Sequence, residues 1–134
     1  MSESNGKALG RFASDVRRVD KPWGHEVIWA LTDRYCGKVL FVAAGESLSL
    51  QYHEQKDESW YVLEGRAELE LGLVGEERLE RGTIVAGDAF HYAPGTVHRI
   101  TAVEDTRILE VSTPHLDDVV RLEDRYGREG TSAP

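Results

Sequence analysis

Cysteine, methionine and proline are scarce in this 134-residue chain, with one Cys, one Met and four Pro. A lone Cys36 allows no intrachain disulfide and no cysteine-based zinc site, and it points to a reducing compartment. Positive charge is also short: 16 Lys and Arg stand against 24 Asp and Glu, for a formal charge of −8. Such a chain lacks the basic footprint of a nucleic-acid binder and is unsuited to an anionic membrane surface. No apolar run reaches the length of a membrane span, and Met1 to Gly10 lack the apolar stretch of a secretory signal. The expectation is a cytoplasmic chain, long enough for one domain, with neither nucleic acid nor membrane as partner.

What the chain does have is short apolar stretches divided by glycine. Residues 67–73 alternate most clearly, with Ala67, Leu69, Leu71 and Leu73 on one face and Glu68 and Glu70 on the other. Period two marks a half-buried strand. The Val74-Gly75-Glu76-Glu77 segment reads as a hairpin turn. Further strands are expected over 38–43, 48–53, 58–63, 83–86, 89–92, 97–103 and 107–112, with a weak helical or irregular stretch over 116–126. Many short strands at close spacing predict an all-β sandwich or barrel. Residues 1–15 are expected to form a flexible arm, 16–128 the barrel, and 129–134 a flexible tail. The block from Glu54 to Glu80 holds nine acids and three bases, which reads mainly as a solvated face.

One stretch carries chemistry. In Ser49-Leu50-Gln51-Tyr52-His53, residues two apart share a strand face, so Ser49, Gln51 and His53 point the same way. Glu58 opens the next strand, and an antiparallel return sets it beside His53. A second stretch from Gly87 ends in His98. Two imidazoles, a carboxylate and an amide oxygen suit a divalent cation such as zinc, iron, manganese, cobalt or nickel. Without Gln51, the set His53, Glu58 and His98 is two histidines and one carboxylate, which suits Fe(II).

The spacing Gly45-x5-Gln51-x-His53-x4-Glu58-x6-Gly65 resembles the first motif of the cupin superfamily, in which the Gln51 position is commonly a second His. Gly87-x5-Ala93-x-Gly95-x2-His98 resembles the second motif, with Ala93 where Pro is usual. Lys21-Pro22-Trp23-Gly24, Leu48-Ser49-Leu50-Gln51-Tyr52-His53, Glu58-Ser59-Trp60, His98-Arg99, Glu110-Val111 and the run from Asp118 to Arg128 together resemble the cupin domain of type II phosphomannose isomerases. In that family the domain follows a mannose-1-phosphate guanylyltransferase domain; nucleotidyl transfer is not expected of a chain this short. The resemblance implies a cupin-type double-stranded β-helix, or jelly-roll barrel. It implies a divalent ion, with Zn2+ the first choice and Fe2+, Mn2+, Co2+ or Ni2+ as alternatives, held by Gln51, His53, Glu58 and His98. It implies interconversion of mannose 6-phosphate and fructose 6-phosphate. A homodimer is expected by analogy with other small cupins.

Isomerisation through an enediol needs a base and a group that stabilises oxyanion charge. Glu110, on an expected core strand, is a candidate base if it faces inward; His91 is another. Arg121 is a candidate for polarising the substrate's oxygens. The sugar phosphate needs cations or hydroxyls, and Lys38, Ser49 and Arg99 are the candidates, with Arg17, Arg18 and Lys21 as a possible supplement. Two other readings remain open: a non-catalytic cupin that binds a sugar or sugar phosphate, and a two-histidine, one-carboxylate Fe(II) enzyme.

Overall fold

Alternation governs the interior. On β5 (Glu58–Glu64) the buried side chains are Glu58, Trp60 and Val62, with Tyr61 and Leu63 outside; on β10 (Thr106–Ser112), Thr106, Ile108, Glu110 and Ser112 are buried. The computed structural model describes residues 6–131. Among these, the other strands are β1 (Arg17–Lys21), β2 (Gly24–Leu31), β3 (Cys36–Val42), β4 (Leu50–Tyr52), β6 (Arg66–Leu73), β7 (Glu80–Val85), β8 (Ala89–Tyr92), β9 (Thr96–Ala102), β11 (Val120–Glu123) and β12 (Gly130–Thr131). A short 3-10 turn covers Gly6–Phe12, within the span expected to be a flexible arm; residues 1–5 and 132–134 lie outside the described residues.

The strands make two antiparallel sheets. One, sheet A, runs β1-β2-β3-β10-β5-β8; the other, sheet B, runs β12-β11-β4-β9-β6-β7. They face each other as the jelly-roll expected from the sequence. The expected strands are all present, with ends shifted by a few residues. The turn at 74–77 joins the paired strands β6 and β7. Strands β1 and β2 were not expected. Arg17, Arg18 and Asp20 load β1 with charge, as suits an edge strand. On β2 the inward residues include Glu26, which hides the apolar alternation. Within 116–126 the irregular path gives way to β11, and Gly130–Thr131, inside the expected tail, pairs with Val120 and Arg121.

The barrel interior changes character along its strands. In sheet A one row across β3, β10 and β5 is Leu40, Ile108 and Val62, all apolar. Each such side chain contributes about 1.5–3 kcal/mol by leaving water. The next row is Lys38, Glu110 and Trp60; the one after it is Cys36, Ser112 and Glu58, extended by Tyr92 of β8. Opposite, Arg121, Gln51 and His98 form a row across β11, β4 and β9. Residues paired across strands share a face, so register alone gathers these polar groups at one end of the barrel. Gly65 closes the first motif for a steric reason. Its φ is +99°, and a Cβ there would sit 2.4 Å from the Asp105 carbonyl oxygen.

Candidate metal centre and cleft

His53 follows β4 and Glu58 opens β5; the loop between them is shaped by Asp118. The Asp118 carboxylate accepts from the backbone N–H groups of Glu54, Gln55 and Lys56 at 3.0, 2.6 and 2.8 Å. Burial pushes the Asp118 carboxyl up, but these three donors outweigh it and hold it below the usual value. The Asp118 carbonyl lies 2.5 Å from His53 Nδ1. His98 Nδ1 is 2.9 Å from the Thr96 carbonyl, and its ring stacks on Tyr92 at 4.3 Å with Trp60 edge-on. Both carbonyls are acceptors, so each Nδ1 carries the proton and each Nε2 presents a lone pair.

Those lone pairs face a carboxylate. His53 Nε2 is 3.1 Å from Glu58 Oε2, and His98 Nε2 is 3.5 Å from Glu58 Oε1. One donor atom from each residue lies within 4.8 Å of the others, and all three residues are buried. His53 Nε2, His98 Nε2 and Glu58 Oε2 are fully buried and make no well-formed hydrogen bond. Two imidazole lone pairs converge on one carboxylate with no proton between them, and the Lys56 ammonium, 3.1 Å from Glu58 Oε2, serves only the carboxylate; a cation among the three would satisfy the lone pairs as well. The residues present therefore fit a divalent ion, with nitrogen and oxygen donors and no sulfur.

Gln51 lines the cleft beside His53, in register with His98. Its Oε1 already accepts from Ser49 Oγ at 2.6 Å. Ser49, buried, thus orients Gln51 and does not itself line the cleft. Glu110 faces inward. Its Oε2 accepts from Lys56 Nζ at 3.0 Å and its Oε1 from Trp60 Nε1 at 3.1 Å. Lys56 also reaches Glu58 Oε2 at 3.1 Å, linking the two carboxylates. Burial alone would lower the Lys56 pKa; Glu110 and Glu58 more than reverse that and keep it charged. For Glu58, burial opposes ionisation, but the Lys56 ammonium beside it holds its carboxyl well below the usual range.

Lys38 is buried and its Nζ donates to Glu26 at 3.2 Å. Lys21, Arg121 and Arg128 complete the cationic lining, and Trp23, Leu48, Leu116 and Val119 are among its apolar walls. The cleft's interior volume is about 60 Å3. Five cationic side chains and two carboxylates, Glu26 and Glu110, line it. Crowding is felt: burial first, then Arg128, lowers the Arg121 pKa, and burial lowers that of Lys21 with Lys38, Arg121 and Arg128 adding to it.

Arg99 is elsewhere. It follows inward His98 by one residue, so alternation turns it to the outer face, where it forks onto Glu70 at 2.5 and 3.1 Å and reaches Glu123 at 3.4 Å. The expected phosphate role is therefore misplaced for Arg99. His91, likewise outward, sits 2.6 Å from Asp57 and not in the cleft. Sequence reasoning missed Lys56, Glu26 and Arg128. Lys56 lies two residues before Glu58 in a charged loop, and nothing local distinguishes it from a solvated lysine.

An antiparallel double-sheet barrel with a His-Glu-His group at one end of its interior defines the cupin class. The chain belongs to the cupin family, whose cupin domain matches residues 38–112. Among its relatives are the xanthan biosynthesis protein XanB of Xanthomonas campestris pv. campestris, 33% identical over 129 residues, and a mannose-1-phosphate guanylyltransferase of Escherichia coli, 34% identical over 129 residues. Each match covers 91% of this chain but 26% of the relative, so the chain spans about a quarter of their length. The guanylyltransferase name agrees with the type II isomerase resemblance, in which such a domain precedes the cupin. Among solved structures, KdgF from Halomonas sp. is 27% identical with a TM-score of 0.61, over 76% of this chain and 89% of KdgF. An oxalate decarboxylase from Bacillus subtilis, 17% identical with a TM-score of 0.69, shares the fold.

Proposed function

We propose that this chain is a metal-dependent aldose–ketose isomerase acting on a sugar phosphate, interconverting mannose 6-phosphate and fructose 6-phosphate. The observation that carries this reading is the continuity of the interior. The His53-Glu58-His98 group runs through Lys56 to Glu110 and opens on a cleft lined by five cations in a chain of net charge −8. Local concentration of positive charge in an acidic protein suits a dianionic substrate.

A divalent ion held by His53, Glu58 and His98, with Gln51 as fourth ligand, would act as a Lewis acid toward the sugar's carbonyl and hydroxyl oxygens; zinc is one of the ions this donor set admits. Lys21, Arg121 and Arg128 receive the phosphate through charge-assisted hydrogen bonds. Lys38 and Lys56, each oriented by a carboxylate partner, stabilise the oxyanion that develops as the C2 proton leaves. That proton passes to a cleft carboxylate and returns to C1. Glu110 and Glu26 are the two carboxylates positioned for it. Both Glu110 oxygens already accept hydrogen bonds, whereas Glu26 is held through Oε1 by Lys38.

A coupled assay with mannose 6-phosphate tests the reading. Turnover that disappears on chelation and returns with added metal supports it; calorimetric binding of the sugar phosphate with no turnover replaces it with the non-catalytic binder. One observation favours a second reading: Ser49 already engages Gln51 Oε1, which leaves a two-histidine, one-carboxylate set suited to Fe(II). Oxygen consumption by the iron-loaded protein would select that alternative.

A further inference from the structure

The cleft is nearly shut. Its interior volume of about 60 Å3 is a fraction of the roughly 300–1,000 Å3 of a small-ligand site. A sugar phosphate enters such a space after one wall has moved. Most walls are poor candidates. Lys38, Glu110 and Trp60 stand on β3, β10 and β5, strands paired on both sides within sheet A. The segment from Leu116 to Arg128 is different. It supplies Leu116, Val119, Arg121 and Arg128 to the cleft and lies toward the edge of sheet B. Its strand β11 meets β4 at Val120 with Tyr52, Arg121 with Gln51 and Glu123 with Leu50, and the register breaks between the last two. On the other side it meets the two-residue β12. Short ladders and a solvated outer side, with Leu122 48% exposed, put this segment at the low-stability end of the fold.

Its attachments lie at two points. Asp118 is fixed, since its carboxylate holds the backbone N–H groups of residues 54–56 and its carbonyl meets His53 Nδ1. Further along, Arg125 Nη1 donates to the Gly45 carbonyl at 2.6 Å. The Tyr126 hydroxyl donates to the Glu46 carboxylate and accepts from the Ser47 N–H at 3.3 Å. All three partners sit on the loop between β3 and β4. Beyond them, the Asp124 carboxylate accepts from Arg128 Nε at 2.8 Å and Nη2 at 3.1 Å and so fixes that guanidinium at the cleft.

We propose that residues 119–128 form a lid over the cleft, hinged at Asp118, latched on the loop at Gly45–Ser47 and drawn shut by a dianionic ligand. Charge supplies the trigger. Lys21 belongs to β1 in sheet A, whereas Arg121 and Arg128 ride on the lid, so the cleft's cations are divided between barrel and lid. In the empty cleft these like charges work against the latch. A phosphate that accepts from both sides bridges the seam instead. The lid rests on the sugar-phosphate reading for the class of its ligand, and on the sheet topology for its motion.

Hydrogen–deuterium exchange of the full chain tests the proposal, with chelator present so that phosphate does not act through an ion. Amides of residues 119–123 are expected to exchange at least about a hundredfold faster than those of β3 and β10. Millimolar inorganic phosphate should slow the lid amides at least about tenfold and leave β3 and β10 unchanged, whereas chloride at equal ionic strength should not. Tyr126→Phe, which removes the latch hydroxyl, should speed lid exchange about three- to tenfold without phosphate. Lys21→Gln, outside the lid, should abolish the protection by phosphate. Lid amides as slow as those of β3 and β10 overturn the proposal. So does phosphate protection that spreads evenly over all strands or persists in Lys21→Gln, and so does Tyr126→Phe exchanging like wild type. Phosphate-driven closure in a chain that does not turn over mannose 6-phosphate keeps the lid and removes the isomerase; turnover by a chain whose lid amides stay slow does the reverse.

Discussion

Removing the ion is the perturbation that bears most directly on the centre. His53 Nε2, His98 Nε2 and Glu58 Oε2 are buried without well-formed hydrogen bonds. Each imidazole nitrogen costs about 1–3 kcal/mol while it lacks a partner, whereas Glu58 Oε2 already has Lys56 Nζ at 3.1 Å. An ion that binds only the folded chain relieves this, and at a hundredfold excess over its dissociation constant it stabilises by about 2.7 kcal/mol. For a domain of this size 1 kcal/mol moves Tm by about 3–5 °C. Chelated protein should therefore melt about 8–13 °C below the ion-loaded form. The assay is scanning calorimetry of chelator-treated protein titrated with Zn2+, Mn2+, Co2+, Ni2+ and, without oxygen, Fe2+. Glu58→Gln, which removes the one carboxylate of the group, should shrink the ion-induced shift to under about 2 °C. If millimolar amounts of all five ions leave the wild-type Tm unmoved, or if Glu58→Gln responds like wild type, the convergence of these three side chains has nothing to do with metal.

Three further outcomes are expected. Lys56→Met leaves Glu58 and Glu110 buried without their shared ammonium, and urea unfolding of metal-free protein should show a loss of about 3–5 kcal/mol; a loss below 1 kcal/mol contradicts the bridge. Arg99 hydrogen-bonds Glu70 and so holds its carboxyl below the usual 4.5, with burial partly opposing. A carboxyl lowered on folding contributes above its unfolded pKa and loses that contribution as pH falls. Glu70→Gln should thus cost about 0.5 kcal/mol at neutral pH, given the exposure of the pair, and its Tm deficit should begin to shrink below pH 4.5 and disappear once pH has fallen past the lowered folded value; a constant deficit down to about pH 3 refutes the pairing. Glu26→Gln and Glu110→Gln, compared in the isomerase assay, should identify the base by a fall in kcat of about a hundredfold or more and by loss of solvent-hydrogen exchange at C2. Equal, small losses in both would move the proton transfer elsewhere.

Much of the candidate metal site was legible in the chain. Ser49, Gln51 and His53 share a face because strand side chains alternate, and the short return to Glu58 leaves little freedom in where that carboxylate goes. The strands over 67–73 and 89–92 announced themselves by period two or by bounding glycines. Arg99 was legible too: the alternation that turns His98 inward turns its neighbour out, and only the search for a phosphate partner obscured this.

The local sequence determined the all-β class, the turn at 74–77 and the shared face of Ser49, Gln51 and His53, since each follows from spacing along one strand or one hairpin; bringing Glu58 and His98 to His53 took the closure of both sheets. Tertiary structure alone decided that Lys56, Glu26 and Lys38 are interior, that Glu110 faces in, and that an apolar row crosses the outside of sheet A from β2 to β8. The reason is physical. A charged side chain defaults to water, and its burial becomes tolerable only when a residue remote in the chain supplies the opposite charge, as Glu110 does for Lys56 across 54 positions. Likewise an apolar row assembled from five strands has no trace in any one of them, because it exists only once register has set their residues side by side.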